Sequence, residues 1–509
     1  MSFLREISPL VKNMFLSEKD VLLRLAAQIE AEIQQGERKD YIEVLDLSSG
    51  DLHRGGIKPI TFVRQVLAAC FYPALLEDDS LPLDVKERAD DLLRQCDGES
   101  VDSCGITKIK HGLSKFITRR DGGVPSSPDD IFITSGSQTA LMFMLKLLVQ
   151  SKVPCQTGVL IPVPTYASFT LALEDHGAAI IPYYLCEEQG WTLQVEELRR
   201  ALHAGRRTCN PVALYICNPG NPTGHIQSRK SIEEVIRFAA EERLFLLADE
   251  VYQSCVYRED TKFESYKKVL SEMGSTISST VELASFNSAS KGFMGECGLR
   301  GGYVELVNLD PAVKEHTRIL FSTRSSPPVG GQIALDLMAD PPKPGDPSFP
   351  TFSEEVQSIK NMMRKNSCRI QEVFGELPGF SCQPLKAGFF VFPCLHFPPR
   401  AIKWAKKRQM EPDMLYCLQL LEETGLHVRP GCEYGQRNDS HHIRLLHCHC
   451  CMSDVNGYLI ENKLNHAGKC EFIMTFYLTD FIVVFSCQIL TKLQPVMLTI
   501  VDIQINCKH

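Results

Sequence analysis

The chain has 509 residues, 44% apolar and 23% charged, a balance that excludes wholesale disorder and allows two or three domains around a sizeable core. Its 54 basic and 62 acidic side chains leave a net charge of −8 with no basic block, which argues against nucleic acid as the main ligand. Residues 1–20 mix Arg5, Glu6, Lys12, Glu18 and Lys19 and show neither an apolar signal core nor an acid-free basic face, so a cytosolic enzyme is the expectation.

Ser17 reads as the N-cap of a helix whose apolar positions Leu22, Leu25, Ala26, Ile29 and Ile33 share one face, with Gly36 as its stop. A short β run over 42–47 follows, then amphipathic helices near 60–72, 84–95 and 107–119. From there short apolar runs at 131–134, 159–163, 179–184, 212–217, 244–248 and 282–286 are mostly separated by helical segments. Strands apolar on both faces, alternating with helices, predict an α/β doubly wound core: a mainly parallel sheet flanked by helices. Five prolines between Pro341 and Pro350 predict a stiff connector and a domain boundary. Beyond it a helix near 352–376, strands at 380–382 and 389–392, a helix near 412–423 and a strand near 426–429 predict a smaller α+β domain. The expected division is 1–55 as an N-terminal arm and part of the small domain, 56–340 as the large domain and 341–446 as the rest of the small domain. Residues 447–509 form an anomalous tail.

That tail is set apart by composition. Six of the 20 cysteines fall in the last 65 residues, of which 9 are charged, against 107 of the preceding 444. The earlier cysteines are scattered, often beside apolar neighbours, and read as reduced, buried small hydrophobes. His447, Cys448, His449, Cys450 and Cys451 are adjacent and lack the spacers of a tetrahedral shell, so no metal site is expected. Residues 472–490 carry one charge, Asp480, near their centre, and read as a buried or aggregation-prone segment rather than a membrane anchor.

In an open α/β sheet ligands sit at the carboxyl ends of the strands, so the residues that follow each apolar run carry the chemistry. The first run is followed by Gly136, Ser137 and Gln138 opening a helix, where backbone amides suit a phosphate, although a plain helix cap has the same look. The second is followed by Tyr166, the fourth by Asn218-Pro-Gly-Asn-Pro-Thr-Gly224, the fifth by Asp249-x-x-Tyr252, and the sixth by Ser288-x-Ser290-Lys291 with Arg300 nine residues on. Each could be bland by itself. Together they present an aromatic ring, an amide, a carboxylate, an amine and a guanidinium in one order.

That order resembles the class I aminotransferases of fold type I, and the stretches 244–253, 290–303 and 420–425 resemble the alanine-transaminating members of that family. The likeness runs from about residue 20 to about residue 444. It implies the fold-type I architecture and pyridoxal 5′-phosphate as cofactor. It also implies ping-pong exchange of L-alanine and 2-oxoglutarate for pyruvate and L-glutamate by a homodimer acting on small amino and 2-oxo acids, with no membrane or nucleic-acid partner. Alternatives are another class I transaminase, of aromatic or kynurenine type, and a catalytically weak homologue that binds the cofactor. Lys291 is then expected to carry the cofactor as a Schiff base and to act as acid and base. Asp249 would face the pyridine nitrogen, Asn221 and Tyr252 the phenolic oxygen, and Tyr166 the ring face. Gly136, Ser137, Gln138, Ser288, Ser290 and Arg300 would hold the phosphate. Arg444, which follows Gly431-x-x-x-Gly-Gln436, is expected to fork the substrate α-carboxylate, with Arg437 as its near neighbour. One departure is local: residues 100–105 lack the tyrosine that in the family reaches the phosphate of the partner subunit's cofactor.

Overall fold

Seven strands join into one sheet in the computed structural model, which describes residues 18–95, 104–150, 155–323, 326–437 and 439–447. They are β1 (Ile131–Thr134), β2 (Thr157–Val163), β3 (Ala179–Tyr184), β4 (Asn210–Cys217), β5 (Phe245–Asp249), β6 (Leu283–Ser288) and β7 (Gly302–Val307). Their order across the sheet is β1-β7-β6-β5-β4-β2-β3. Pairing is parallel from β6 through β3, while β7 runs antiparallel to both β6 and β1. β1, β5 and β6 are buried at every position, which is what strands covered on both faces require. The helix Ser137–Leu148 buries Ala140, Leu141, Phe143, Met144 and Leu145 in the same core, where Phe321 lies with its ring 4.5 Å from Phe143 and 4.8 Å from Phe132.

The strand β7 is absent from the apolar runs read in the sequence, and Glu305 at its centre is the reason. That side chain is only 2% exposed, yet its carboxylate accepts from Lys267 Nζ and from Ser126 Oγ, both at 2.5 Å. A charge in the middle of a strand reads locally as a surface position, whereas here a cation distant in the chain makes its burial tolerable.

The chain divides into two compact units. The first takes residues 58–364 and 385–389 and carries the seven-stranded sheet. The second takes, of the described residues, 18–57, 365–384 and 390–447. The proline run lies in the first unit, with Pro341, Pro342, Pro344 and Pro347 ahead of the helix Phe349–Glu376 and Pro350 in its first turn, and the division falls inside that helix. Within the second unit Leu45–Asp46 pairs in parallel with Leu426–His427, and Phe390–Val391, Ile443–Leu446 and Arg429–Pro430 form a three-stranded antiparallel sheet. The helix Pro412–Thr424 ends on Gly425 at φ 71°, where a Cβ would come within 2.5 Å of the Tyr41 ring, so glycine is required twice over. Among the described residues no two cysteines are joined by a disulfide, and no helix is long and apolar enough to cross a membrane. Ser17, residues 96–103 and the tail from 448 onward lie outside the described residues.

Lys267→Met should leave the Glu305 carboxylate buried without its cation and cost about 3–5 kcal/mol of stability. The double variant Lys267→Met/Glu305→Leu should recover most of that loss, and urea melts of the three proteins check both expectations.

Candidate active site

The parallel pairing brings the carboxyl ends of β4, β5 and β6 to one edge of the sheet. Asp249 is the last residue of β5, in register with Cys217 on β4 and Phe286 on β6, and is 5% exposed. Because side chains alternate along a strand, Tyr215 and Cys217 share a face with Leu247 and Asp249. Tyr215 Oη accordingly donates to Asp249 Oδ2 at 2.9 Å, while the Val251 amide reaches Oδ1 at 3.4 Å. Burial pushes the Asp249 carboxyl up to about 6, although the Tyr215 hydroxyl, the Val251 amide and the Lys291 charge pull the other way. Glu250 points to the opposite face and is pushed up to about 7, again by burial, with Ser285 Oγ at 2.5 Å and the Tyr266 amide at 2.8 Å on its carboxylate.

Three more of the residues singled out in the sequence gather beside Asp249. Asn221 Nδ2 donates to the Tyr252 hydroxyl at 3.3 Å, and Lys291 Nζ lies 5.8 Å from the Tyr252 ring centroid. Tyr252 is buried and meets Phe389 edge-on at 5.6 Å. The Asn221 side chain is buried and its Oδ1 has no hydrogen-bond partner among the described residues. The Asn221 loop is held rigidly: Asn218 Oδ1 accepts from the Gln227 amide at 3.0 Å, and a Cβ on Gly220 would come within 2.3 Å of His225 Nδ1.

A second cluster forms where β1 turns into the helix Ser137–Leu148. Gly136 caps that helix at φ 93°, and a Cβ there would lie 2.4 Å from Arg300 Nη2. Arg300 leans on the carbonyls of Cys297 at 2.8 Å and Ser135 at 3.4 Å. A guanidinium therefore stands at the positive end of a helix, beside the amides of Ser137 and Gln138, a juxtaposition favourable only with an anion between them. Gln138 Nε2 donates to Ser168 O at 3.1 Å, and its Oε1 is buried without a partner among the described residues. Ser288 and Ser290 are buried at the end of β6 and just beyond it, and Tyr166 caps the helix Ala167–Asp175 with its ring packed against the core that contains Tyr215.

Arg444 belongs to the second unit and is 5% exposed. Its guanidinium lies 3.8 Å over the Phe390 ring and 4.9 Å from the Tyr434 ring, and Nη2 donates to Ser48 O at 2.6 Å. Arg437 is exposed. Tyr215 is the residue that sequence reasoning missed. Its signal was the two-residue spacing to Cys217, which puts it on the face of Asp249 once β4 and β5 pair in parallel.

The family model for class I and II aminotransferases matches residues 67–456. The chain is 47% identical over 446 residues to alanine aminotransferase 2 of Xenopus tropicalis, covering 87% of this chain and 85% of that protein. It is 46% identical over 443 residues to human alanine aminotransferase 1, covering 86% and 89%. An alanine aminotransferase structure from Pyrococcus furiosus superposes with a TM-score of 0.67 at 20% identity, covering 87% of this chain and 95% of that one, which shows the fold. The chain belongs to the class I and II aminotransferases, with the fold-type I architecture. Its cofactor is pyridoxal 5′-phosphate, and the residues present suit that group: a cradle without a Cβ under a guanidinium for the phosphate, a buried carboxylate for the ring nitrogen, and a buried amide with an open polar atom.

Gly136→Ala should weaken cofactor binding by roughly 10-fold or more, because the methyl displaces the Arg300 guanidinium and strains a left-handed backbone; fluorescence titration of the apo-protein with pyridoxal phosphate checks it. A carboxyl that titrates higher when folded favours the folded state at low pH and loses that advantage as the pH rises. Apo-protein stability should therefore fall between about pH 4 and pH 7 as Asp249 and Glu250 ionise in place. In denaturant melts across that range Asp249→Asn should flatten the slope, and an unchanged slope would show that Asp249 carries none of it.

Proposed function

We propose that this chain exchanges L-alanine and 2-oxoglutarate for pyruvate and L-glutamate by a ping-pong route. The observation that carries the reading is the cluster of Asp249, Asn221, Tyr252 and Lys291 at the carboxyl edge of the sheet, joined to 46–47% identity with proteins named as alanine aminotransferases. When bound, pyridoxal phosphate supplies a carbonyl carbon for the amino group and an electron-withdrawing ring for the electrons left at Cα. Lys291 Nζ would take the proton from the substrate Cα and deliver it to the cofactor's former carbonyl carbon, two bonds away, a task its flexible amine suits. Asp249 would hold a proton on the ring nitrogen, with Tyr215 keeping its carboxylate aimed. Asn221 and Tyr252 would donate to the phenolic oxygen, and Tyr166 would face the ring. At the Cβ-less turn of Gly136, whose own amide donates to Thr134 O at 2.7 Å, the amides of Ser137 and Gln138 would hold the phosphate together with the hydroxyls of Ser288 and Ser290 and with Arg300.

Arg444 takes the α-carboxylate of either substrate. Support for it over Arg437 comes from its burial between the Phe390 and Tyr434 rings, which leaves the fork little freedom to lose on binding. The reading includes a homodimer, in keeping with the exposed Phe71, Tyr72 and Leu83, and a cytosolic setting.

Lys291→Ala should lose the visible absorbance of the lysine-linked cofactor and drop turnover below detection. Wild-type holoenzyme mixed with a panel of amino acids in stopped flow should give its highest half-reaction kcat/KM with L-alanine or L-glutamate. A preference for aromatic amino acids would overturn the substrate assignment, and a Lys291→Ala protein that still transaminates would overturn the chemistry.

A further inference from the structure

The segment carrying Lys291 is gripped from outside the site by a bidentate ion pair. Between β6 and β7 the chain makes a closed excursion: the Ala289 amide donates to Gly301 O at 3.1 Å, and the Glu296 amide donates back to Ala289 O at 3.0 Å. Cys297 Sγ adds a contact to Ser290 O at 3.1 Å. Lys291 rides in the inner turn of this loop and Arg300 stands at its exit. The carboxylate of Glu296, 2% exposed, is forked by Arg64, Nε to Oε1 at 2.9 Å and Nη2 to Oε2 at 2.8 Å.

Arg64 belongs to the helix Thr61–Phe71, 232 residues away in the chain. The same helix reaches the loop a second time through aromatic rings. Phe62 meets Phe352 edge-on at 6.5 Å, and Phe352 meets Phe293 edge-on at 5.8 Å. A carboxylate so deeply buried is a poor way to gain stability, because desolvation offsets most of the attraction. A planar fork on both oxygens does, however, fix direction as well as distance, which a packed apolar side chain does not.

We propose that Arg64 and Glu296 are positioning residues for the transamination, holding residues 289–301 so that the Lys291 amine and the Arg300 guanidinium keep their places. This rests on the reading in which Lys291 bears the cofactor. An error of about 1 Å in such a group costs about 100-fold in rate, and a loosened loop approaches that.

The test compares holoenzymes of wild type, Arg64→Lys, Arg64→Met, Glu296→Gln, Arg64→Met/Glu296→Leu and Lys291→Ala. Four quantities are read: kcat and KM of the alanine half-reaction, the pH midpoint of the visible absorbance, the rate of cofactor loss, and hydrogen exchange of residues 289–301 in the apo- and holo-forms. Arg64→Met should lower kcat by roughly 10- to 100-fold with KM within about 2-fold, shift the absorbance midpoint, release cofactor faster and raise exchange in the loop. Arg64→Lys should recover part of the rate, because one ammonium cannot engage both oxygens. The double variant should regain melting temperature without regaining kcat, which separates positioning from mere stability. Should Arg64→Met fail to fold, Arg64→Lys and Glu296→Gln carry the same readouts. Variants that change only the melting temperature, with kcat, absorbance midpoint and loop exchange as in wild type, overturn the inference. Cofactor absorbance that survives in Lys291→Ala overturns instead the reading beneath it.

Discussion

A carboxylate buried at the end of a parallel strand is costly to ionise, and much of the site is arranged around that cost. Asp249 has a tyrosine hydroxyl and a backbone amide as neutral donors and feels the positive charge of Lys291, yet burial still holds its carboxyl near 6. The missing contribution is a cation placed against it. At the mouth of the helix Ser137–Leu148 the imbalance has the opposite sign, since a guanidinium and the positive end of the helix face the same space. A ligand with a protonated ring nitrogen at one end and a phosphate at the other satisfies both. Pyridoxal phosphate carries groups of both signs, so the charge pattern is in keeping with that cofactor.

The adjacent pair Asp249 and Glu250 divides its labour by strand alternation. One side chain faces the site; the other turns under the sheet, where it takes the Tyr266 amide and the Ser285 hydroxyl, and its charge is opposed by Arg120. Arg120 forks Asp121, and Asp121 in turn accepts from Ser265, which caps the helix Tyr266–Ser271. The strand end that presents Asp249 is thus anchored on its far face by a buried polar network. Such a network is strong only when every member is satisfied, which couples the precision of the site to residues that never touch a ligand.

Glycine has a comparable part. At Gly136 and Gly220 the neighbouring side chains, Arg300 and His225, occupy the space a Cβ would fill. Close approach of backbone to side chain at these two turns lets the start of the helix Ser137–Leu148 and the Asn221 loop take their shapes, and any larger residue would move Arg300 or His225 rather than merely strain the turn.

The sequence by itself determined the alternation of strands and helices, the smaller α+β portion, and the order of Tyr166, Asn221, Asp249, Tyr252, Lys291 and Arg300 after successive strands. Local periodicity and motif spacing suffice for that, because parallel strands put their carboxyl ends on one edge whatever their order across the sheet. Strand limits moved by only one or two residues: the run at 159–163 became Thr157–Val163, and that at 212–217 became Asn210–Cys217. Tertiary structure alone decided what depends on distant partners. Glu305 looked like a surface charge until Lys267 met it, so β7 was not legible. Tyr215 looked like a core aromatic until the register of β4 against β5 aimed it at Asp249, and Arg437 could not be told from Arg444 until one was exposed and the other buried between two rings. Glu296 was one acid in a motif until Arg64 reached it across 232 residues. Charge pairing and burial are properties of the folded neighbourhood, and no window of local sequence contains them.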